Sequence, residues 1–353
     1  MVSEKGEAMR FAIELAERGL LPDSLIRWGI RELDKKRLRL EDLGDSEKQR
    51  QALERFVEEL RNSPVAVQIH KPKEQHYELP PPFFEKVLGK WMKYSSCYWP
   101  QGVDSLDQAE EAMLELTCER AQLEDGMEIL ELGSGWGSLS RWMAEQYPNS
   151  RVVTVSNSRP QGEFIKARCA ALKLDNVEVI SADMNDFDTD QTFHRIVSVE
   201  MFEHMRNWEK LLARISTWLK SGGKLFLHIF THREFAYLFE DGGEDNWLGR
   251  HFFTAGLMAS HDLLFHFQKD ITVEDHWRLN GMHYKETADA WLSNLDSRRE
   301  QILPILAETY GQGQAERWHQ RWRIFFLACS ELWGYGNGEE WLVSHYRLKK
   351  KTI

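Results

Sequence analysis

Long hydrophobic runs are missing from this sequence, and so is an apolar segment near its beginning. No run of eighteen apolar residues occurs, and Met1–Met9 carries Glu4 and Glu7. The first absence excludes a typical transmembrane helix, and the second argues against a secretory signal peptide. We therefore expect a soluble, globular chain, for which 42% apolar and 29% charged residues are typical. With 353 residues it can form one large α/β domain with additions, or two smaller domains.

Cysteine is also scarce, and basic residues are fewer than acidic ones. The four cysteines are Cys97, Cys118, Cys169 and Cys329. Their spacing matches no metal site, so we expect free thiols, no metal and a reducing compartment, the cytoplasm. Acidic residues outnumber basic ones by 56 to 45, which gives a net charge of −11. This balance argues against nucleic-acid binding and against stable association with an anionic membrane, while a homodimer stays open.

Helical and strand patterns alternate over the middle of the chain. Helices are predicted at 105–122, 138–147, 159–173 and 207–220, and strands at 127–132, 151–156, 177–181, 194–199 and 223–230. Such alternation predicts an α/β fold with a parallel, doubly wound sheet.

The flanking segments have different patterns. Residues 5–62 show helical spacing of apolar residues, and 71–84 read as an extended connection because of three consecutive prolines. Residues 231–290 are dense in aromatics and histidines, which we interpret as an insertion that caps the site, before a final helix and strand at about 313–334 and 340–348. The predicted units are an N-terminal helical lobe at 1–85, a Rossmann-like core at 86–230, a capping insertion at 231–300, and a C-terminal helix and strand at 301–353.

A glycine-rich turn follows the first predicted strand. Residues 127–137 read Met-Glu-Ile-Leu-Glu-Leu-Gly-Ser-Gly-Trp-Gly, and Gly133 and Gly135 would let a ligand approach bare backbone. The spacing is neither the dinucleotide fingerprint nor a P-loop. Glu131, just before the turn, suits a ligand with an ammonium group. This arrangement resembles the first motif of the class I S-adenosylmethionine-dependent methyltransferases.

Polar residues follow the next two strands at positions suited to a nucleoside. Asn157 and Gln161 are neutral hydrogen-bonding groups that could reach a ribose, and Asp183 and Met184 could contact an adenine amino group and ring face. Ser158 also reads as a simple helix cap, and Asp183 as a turn former.

Four motifs in order make the resemblance more specific. They are Tyr-Ser-Ser-Cys-Tyr-Trp at 94–99, the glycine turn, Ser-Asn-Ser-x-x-Gln at 156–161, and Val-Glu-Met-Phe-Glu-His-Met at 199–205. Together they resemble the cyclopropane-fatty-acid synthase superfamily, and within it the coclaurine N-methyltransferase branch. The resemblance implies that S-adenosylmethionine is the cofactor. It implies that Tyr94 and Ser95 contact the methionine part of the cofactor, and that Gly133 and Gly135 contact the backbone atoms of this part. It also implies that Asn157 and Gln161 contact the ribose, and that Asp183 and Met184 contact the adenine.

The run Glu200-x-x-Glu203-His204 is the candidate catalytic group. If it were helical, its i, i+3, i+4 spacing would place all three side chains on one face. The carboxylates would attract a substrate ammonium, and His204 would accept its proton directly or through water. Two other interpretations stay open: a metal site, which would need a second such motif, and a solvated helix face.

The acceptor is expected to lie among aromatic and polar residues. The candidate pocket residues are Ser96, His228, Phe253, Trp277 and Tyr284, and the candidate aromatic lid also includes Trp247, Phe252 and Trp291. The resemblance implies that the lipid-modifying synthases carry a cysteine at the position of Ser96. In those enzymes this cysteine holds bicarbonate together with the equivalents of Glu203, His228 and Tyr284. The serine here favours N-methylation of a small hydrophobic amine. Cyclopropane-synthase-like transfer to phospholipid acyl chains and a non-enzymatic S-adenosylmethionine sensor are the alternatives.

Overall fold

The computed structural model describes residues 4–67, 79–239, 247, 251–252 and 256–351, without the side chains of residues 4–7. Its strands are β1 (Glu128–Leu132), β2 (Arg151–Ser156), β3 (Val177–Ser181), β4 (Phe193–Val199), β5 (Leu219–His232), β6 (Tyr237–Leu238), β7 (Leu257–Ser260), β8 (Ile271–Leu279) and β9 (Trp341–Lys350). Its helices are α1 (Glu4–Glu17), α2 (Asp23–Glu41), α3 (Ser46–Asn62), α4 (Pro81–Val87), α5 (Leu106–Ala121), α6 (Ser138–Gln146), α7 (Arg159–Leu172), α8 (Trp208–Trp218), α9 (Met282–Ser297), α10 (Arg299–Tyr310) and α11 (Ala315–Gly334).

The strands of the described residues form one mixed sheet. Its main path runs β3-β2-β1-β4-β5-β7-β6, and β1 to β5 pair in parallel along it. On β5, β9 pairs antiparallel, and β8 pairs antiparallel with β9. The order reverses at β1, where β2 and β4 lie on opposite sides. Ligands of open α/β sheets bind at the carboxyl ends of the strands beside such a reversal.

Alternating side chains of the central strands bury both faces of the sheet. Leu130 and Leu132 of β1 belong to a core cluster with α3 and α8, whereas Ile129 packs in a second cluster with α5 and α6. Neighbouring residues on a strand point to opposite faces, so helices cover the sheet on both sides. The predicted α/β fold with a doubly wound, mostly parallel sheet is confirmed.

The five core strands lie where the sequence predicts them, with bounds within a few residues. Helix α2 begins after Pro22, and the Asp45 side chain caps α3 by accepting the Lys48 N–H at 2.9 Å. The extended connection predicted at 71–84 lies outside the described residues for most of its length. Its last part is not extended, because α4 begins at Pro81, where a proline in the first helical turn loses no helical hydrogen bond.

Two segments differ from the simple division predicted from the sequence. Within 231–300, β7 and β8 pair with the sheet, and only part of the segment, chiefly α9, covers the site. Strand β8 has irregular burial along its length, which is why no strand pattern was visible. The N-terminal helices pack in two different places: α1 and α2 pack against α11, whereas α3 packs against α8. Buried or half-buried ion pairs from Arg317 and Arg321 to Glu17, and from Arg323 to Asp23, join the first two helices to α11.

Candidate functional site

A cavity of about 210 Å³ opens at the carboxyl ends of β1, β2 and β4. One end of it is lined by the loops after β1, β2 and β3. The other end is lined by the turn after β4, by the segment before α5, and by side chains of α9 and α11. The two groups of candidate residues predicted from the sequence therefore face one continuous space.

The glycine turn forms the floor of the first end. Gly133 and Gly135 have φ angles of 89° and 48°, a region that glycine adopts without strain. A Cβ atom added at Gly135 would meet nothing within 4 Å, whereas one at Gly133 would lie 3.0 Å from Met201. The N–H groups of Gly133 and Ser134 both donate to Val155 O, which fixes the turn against β2. The turn thus holds open a space directly above its backbone.

Glu131 is buried at the end of β1 and lines the same space. Its Oε2 accepts hydrogen bonds from Ser140 Oγ and from Thr154 Oγ1, the latter at 2.7 Å. Burial raises the pKa of Glu131 to about 7, and the two hydroxyl donors oppose that rise. Both bonds use one oxygen, which leaves Oε1 outside them. The carboxylate is therefore held in place by neutral groups and not by a cation of the protein.

The polar residues after β2 and β3 also line the cavity. Asn157 is exposed, whereas Gln161 is buried and accepts from Ser156 Oγ through Oε1. Asp183 Oδ1 accepts the N–H of Asn185, so its turn-forming role is real and engages one carboxylate oxygen. Met184 is buried beside it. All four residues predicted for the nucleoside part are brought together.

Unpaired polar atoms at this end test whether a nucleoside cofactor fits. Gln161 Nε2 and Ser134 Oγ are buried without a hydrogen-bond partner among the described residues, and both residues line the cavity. Buried polar atoms are rarely left unpaired, so a ligand with hydroxyl or carboxylate oxygens would satisfy them. Together with the open space above Gly135, these atoms fit S-adenosylmethionine.

Tyr94 and Ser95 line the cavity from the segment that precedes α5, and a buried lysine holds that segment. Lys93 Nζ donates to Ser95 Oγ at 2.5 Å and to Ser96 O at 2.7 Å. Glu110 of α5 accepts the N–H groups of Gly89, Trp91 and Lys93. Sequence reasoning missed Lys93. The signal in the sequence that could have identified it is a charged residue between the apolar pair Trp91-Met92 and the Tyr-Ser-Ser motif at 94–96.

Glu200 is the centre of the second end of the cavity. Its φ of 47° is unusual for a non-glycine residue and costs about 1–3 kcal/mol, a strain typical of functional sites. Its N–H donates to His228 O at 2.8 Å. Its carboxylate accepts from Ser96 N at 2.9 Å and Tyr284 OH at 2.8 Å, and His228 Nε2 lies 3.2 Å from Oε1. Burial raises the pKa of Glu200, while the charge of Lys93 and the hydrogen bonds lower it.

The three predicted catalytic residues do not share a helix face, and this part of the prediction is wrong. Glu200 precedes a short 3₁₀ turn, Phe202–His204, and only Glu200 and His204 line the cavity. Glu203 turns away into the core, where its Oε1 accepts the Phe230 N–H at 2.7 Å. Burial and the neighbouring Glu200 hold the pKa of Glu203 well above its usual range, and the hydrogen bond to Phe230 makes this carboxyl a structural group of the core.

His204 is half-buried and faces the same space as Glu200. Burial lowers the pKa of His204 to about 4, although Glu200 acts in the opposite direction. The imidazole is therefore neutral near pH 7.

The predicted acceptor pocket is only partly correct. Tyr284 lines the cavity, whereas Ser96 and His228 act behind it through their bonds to Glu200. Trp277 is not in the pocket: it lies on β8, half-buried, with the guanidinium groups of Arg120 and Arg347 over its ring. Strand β9 lies between β8 and β5, so Trp277 is two strands away from the strand that carries His228. Phe253 lies outside the described residues.

Several lining residues were not assigned from the sequence. They are Lys93, Trp136, Phe230, Phe325 and Cys329. Burial raises the pKa of the Cys329 thiol to about 12. Of the candidate lid aromatics, Trp291 lines the cavity, whereas Phe252 stacks on Phe325 and Trp247 donates to Glu17.

The described part of the chain contains neither a group of side chains suited to a metal ion nor a helix suited to a membrane. No three His, Cys, Asp or Glu side chains there are grouped so that they could hold a metal ion. None of the helices in the described ranges is both long enough and apolar enough to span a lipid bilayer.

Comparison with known proteins gives consistent results. A family model described as mycolic acid cyclopropane synthetase matches residues 67–339. The (S)-coclaurine N-methyltransferase of Thalictrum flavum subsp. glaucum is 40% identical over 339 residues, which cover 95% of this chain and 94% of that protein. The cyclopropane-fatty-acyl-phospholipid synthase of Escherichia coli K12 is 31% identical over 271 residues, 76% of this chain and 66% of that protein.

A solved structure matches almost the whole chain. A crystal structure of coclaurine N-methyltransferase bound to N-methylheliamine and SAH superimposes with a TM-score of 0.94 at 37% identity. The match covers 97% of this chain and all of that one.

Proposed function

This chain belongs to the cyclopropane-fatty-acid synthase superfamily and is an S-adenosylmethionine-dependent N-methyltransferase, and we propose that its acceptor is a small hydrophobic amine, aryl-alkyl or cyclic. One observation carries the proposal. The Glu200 side chain is only 10% exposed, and its carboxylate contacts Ser96 N, Tyr284 OH and His228 Nε2 in a cavity that aromatic side chains also line. A carboxylate in apolar surroundings attracts a cation far more strongly than one in water.

The first end of the cavity would hold the cofactor. Tyr94 and Ser95 would contact its methionine part, Gly133 and Gly135 the backbone of that part, Glu131 the ammonium, Asn157 and Gln161 the ribose, and Asp183 and Met184 the adenine. The buried unpaired atoms of Gln161 and Ser134 support this assignment. When bound, S-adenosylmethionine supplies an electrophilic methyl group on a sulfonium.

The second end would bind the amine as its ammonium ion. Glu200 would provide the attractive charge, and the aromatic walls would add cation–π attraction and exclude water. These walls are Tyr94, Phe230, Tyr284, Trp291 and Phe325. The cavity volume of about 210 Å³ and these rings suit a compact ring-bearing amine.

Methylation needs a free lone pair on nitrogen, so the site must also remove a proton. His204 is neutral near pH 7 and would accept that proton directly or through water. Its low pKa means that the imidazolium would not persist. Burial raises the pKa of Glu200, which makes this carboxylate the group on which the proton would rest. Glu203, bonded away from the cavity, would only support the fold of the turn.

Lipid chemistry is less well supported. The resemblance assigns bicarbonate in the synthases to a cysteine at the position of Ser96 and to the equivalents of Glu203, His228 and Tyr284. In this chain the Ser96 N–H, the Tyr284 hydroxyl and His228 Nε2 all contact the Glu200 carboxylate. An internal carboxylate thus takes those donors, and we expect no requirement for bicarbonate.

Product analysis tests the proposal. Purified protein with S-adenosylmethionine, in bicarbonate-depleted buffer, should add one methyl group to a member of a panel of secondary and tertiary cyclic aryl-alkyl amines. Mass spectrometry detects the product. Vesicles of unsaturated phospholipid should stay unchanged in the same assay. Methylated or cyclopropanated lipid without any amine product would overturn the assignment, and binding of the cofactor without any product would favour a sensor.

We also propose a cytoplasmic location without stable membrane association, and a homodimer. The four free cysteines support a reducing compartment. Exposed apolar side chains on the N-terminal helices, Phe11, Leu25, Trp28 and Leu40, are candidates for a self-contact. Light scattering after size exclusion, on the intact protein and on Trp28→Glu, tests the dimer: a monomer for the intact protein would exclude it.

A further inference from the structure

A row of side chains crosses the sheet from its outer edge to the catalytic turn. In the antiparallel pairing of β8 with β9, Trp277 lies opposite His345, and in that of β9 with β5, His345 lies opposite His228. Directly opposite residues of antiparallel strands share a face of the sheet and touch. His228 is in turn paired with Val199, the last residue of β4, and Glu200 follows.

Hydrogen bonds run along this row without a break. Arg120, in the last turn of α5, has NH1 2.9 Å from His345 Nδ1. His345 Nε2 lies 3.0 Å from His228 Nδ1, and His228 Nε2 lies 3.2 Å from Glu200 Oε1. The chain of contacts therefore joins a guanidinium at the edge of the sheet to the carboxylate in the cavity.

The end groups determine the tautomer of each imidazole. A guanidinium can only donate, so His345 Nδ1 must accept and His345 Nε2 must carry the hydrogen. His228 Nδ1 then accepts that hydrogen, and His228 Nε2 carries its own toward Glu200. An ionised carboxylate can only accept, which fits this direction. All three bonds point the same way, from the cation to the anion.

Both imidazoles are neutral. They are almost completely buried, and burial holds the pKa of each far below its usual range, with Arg120 and Lys93 acting in the same direction. Arg120 retains its proton under all ordinary conditions. The row therefore cannot release a substrate proton to solvent at its outer end. It can only orient and polarise the groups at its inner end, His228 and the Glu200 carboxylate.

We propose that Arg120 and His345 are positioning residues that keep His228 in the tautomer which donates to Glu200, and thereby keep the Glu200 carboxylate ionised and oriented toward the amine. This role rests on the proposed function of Glu200. It also explains the location of Trp277, whose ring lies under the Arg120 guanidinium at 4.8 Å and shields it.

Other charged and titratable groups face the two ends of the row. Lys93, His204, Tyr284 and Glu203 surround Glu200. At the outer end, Tyr98, Glu119 and Asp275 act on Arg120. The tautomers are set by the two end groups of the row, Arg120 at one end and the Glu200 carboxylate at the other.

Replacing Arg120 should release the tautomer lock. In Arg120→Met, His345 Nδ1 can carry the hydrogen, and both imidazoles can reverse. His228 Nε2 then presents a lone pair to the carboxylate, which favours the protonated form of Glu200. The pKa of Glu200 would rise, so the acid limb of kcat/KM should move to higher pH. If it moves by one unit, kcat/KM below the limb falls about tenfold, while the plateau at high pH is unchanged.

Arg347→Met is the matched control. Arg347 also lies over Trp277, at 5.4 Å, and carries the same charge, but it bonds to Glu274, Asp275 and Arg120 O and not to His345. Its loss removes a nearby positive charge without removing a hydrogen bond to either imidazole. Arg120→Lys keeps a charge and a donor at the first position, so we expect partial return of the wild-type limb.

The experiment combines kinetics with nitrogen NMR on the full-length protein. In ¹⁵N-histidine-labelled wild type, His228 and His345 should both be Nε2–H tautomers, and Arg120→Met should change them. The positioning role would be overturned if either imidazole of the wild type were the Nδ1–H tautomer. It would also be overturned if the acid limb of kcat/KM lay at the same pH in Arg120→Met and Arg347→Met. Glu200→Gln, assayed in parallel, separates the two claims: full activity there would refute the proposed function itself, whatever the tautomers.

Discussion

The two ends of the cavity are built in different ways. The cofactor end uses backbone, neutral side chains and the carboxylates of Glu131 and Asp183, chiefly from 131–184, a continuous part of the chain in which each strand is followed by its contribution. The acceptor end brings together Lys93, Glu200, Tyr284 and the His228–His345 pair, which are distant in sequence and mostly ionisable. The first end requires only a local fold, whereas the second requires that the whole tertiary structure be correct.

The difference has an energetic basis. A buried ionised carboxylate is costly unless several donors satisfy it, and Glu200 has Ser96 N, Tyr284 OH and His228 Nε2. Glu131 at the cofactor end needs only two hydroxyl partners from neighbouring elements. Substitutions at the cofactor end should therefore act on ligand binding, and those at the acceptor end on catalysis.

The largest effect is expected at the glycine turn. In Gly135→Val, the branched side chain would enter the open space above the turn, so calorimetry should detect no binding of S-adenosylmethionine or S-adenosylhomocysteine. Gly126→Val is the matched control for backbone strain, because Gly126 also has a positive φ and open space around it but lies in the turn before β1. Normal cofactor binding by folded Gly135→Val would refute the assignment of the cofactor end.

A smaller effect is expected at His204, and it should be confined to catalysis. His204→Ala should lower kcat by about 10²–10⁴-fold at pH 7, the usual contribution of a general base. Cofactor affinity should stay near that of wild type. Because the pKa of His204 is about 4, the imidazole is already neutral at pH 6–9, so its own titration should give no limb there. Raising the pH deprotonates the free amine and should partly restore the variant.

The control for His204→Ala is a buried histidine outside the cavity. His261 is fully buried, and burial also lowers its pKa to about 4. If His261→Ala lost as much kcat as His204→Ala at equal thermal stability, the general-base role would be untenable.

The smallest effects should distinguish two adjacent serines. Ser95 lines the cavity and accepts from Lys93 Nζ, whereas Ser96 contacts Glu200 only through its backbone N–H. Ser96→Cys is a near-isosteric change and should keep kcat/KM within about threefold of wild type. Ser95→Cys should weaken cofactor binding more. A bicarbonate requirement in Ser96→Cys would show that this side chain, and not Glu200, decides the chemistry.

The sequence was sufficient for the cofactor end because its signals are local. Strand, glycine turn and helix follow one another in the chain, and Asn157, Gln161 and Asp183 follow the next strand ends in order. The five core strands were predicted for the same reason. Strand β8 was missed because its burial alternates irregularly along an edge strand.

At the acceptor end, local patterns were misleading. The Glu-x-x-Glu-His spacing suggested one helical face, but the positive φ of Glu200 breaks the helix and sends Glu203 into the core. Trp277 looked like a pocket residue because aromatic content alone does not indicate how many strands separate a residue from the cavity. Lys93 and Arg120 could not be assigned, since their roles depend on partners at positions 95–96 and 345 that only the tertiary structure brings near.

The central claim is that Glu200 makes the acceptor end a cation site, and charge-dependent binding tests it most directly. Calorimetry on protein saturated with S-adenosylhomocysteine would compare N,N-dimethyltetrahydroisoquinolinium with 2,2-dimethyltetralin, the neutral isostere with carbon in place of nitrogen. We predict that wild type binds the cation at least about tenfold more tightly, equivalent to about 1.4 kcal/mol, and that Glu200→Gln loses this difference. Equal preference for the cation in wild type and Glu200→Gln would contradict the account.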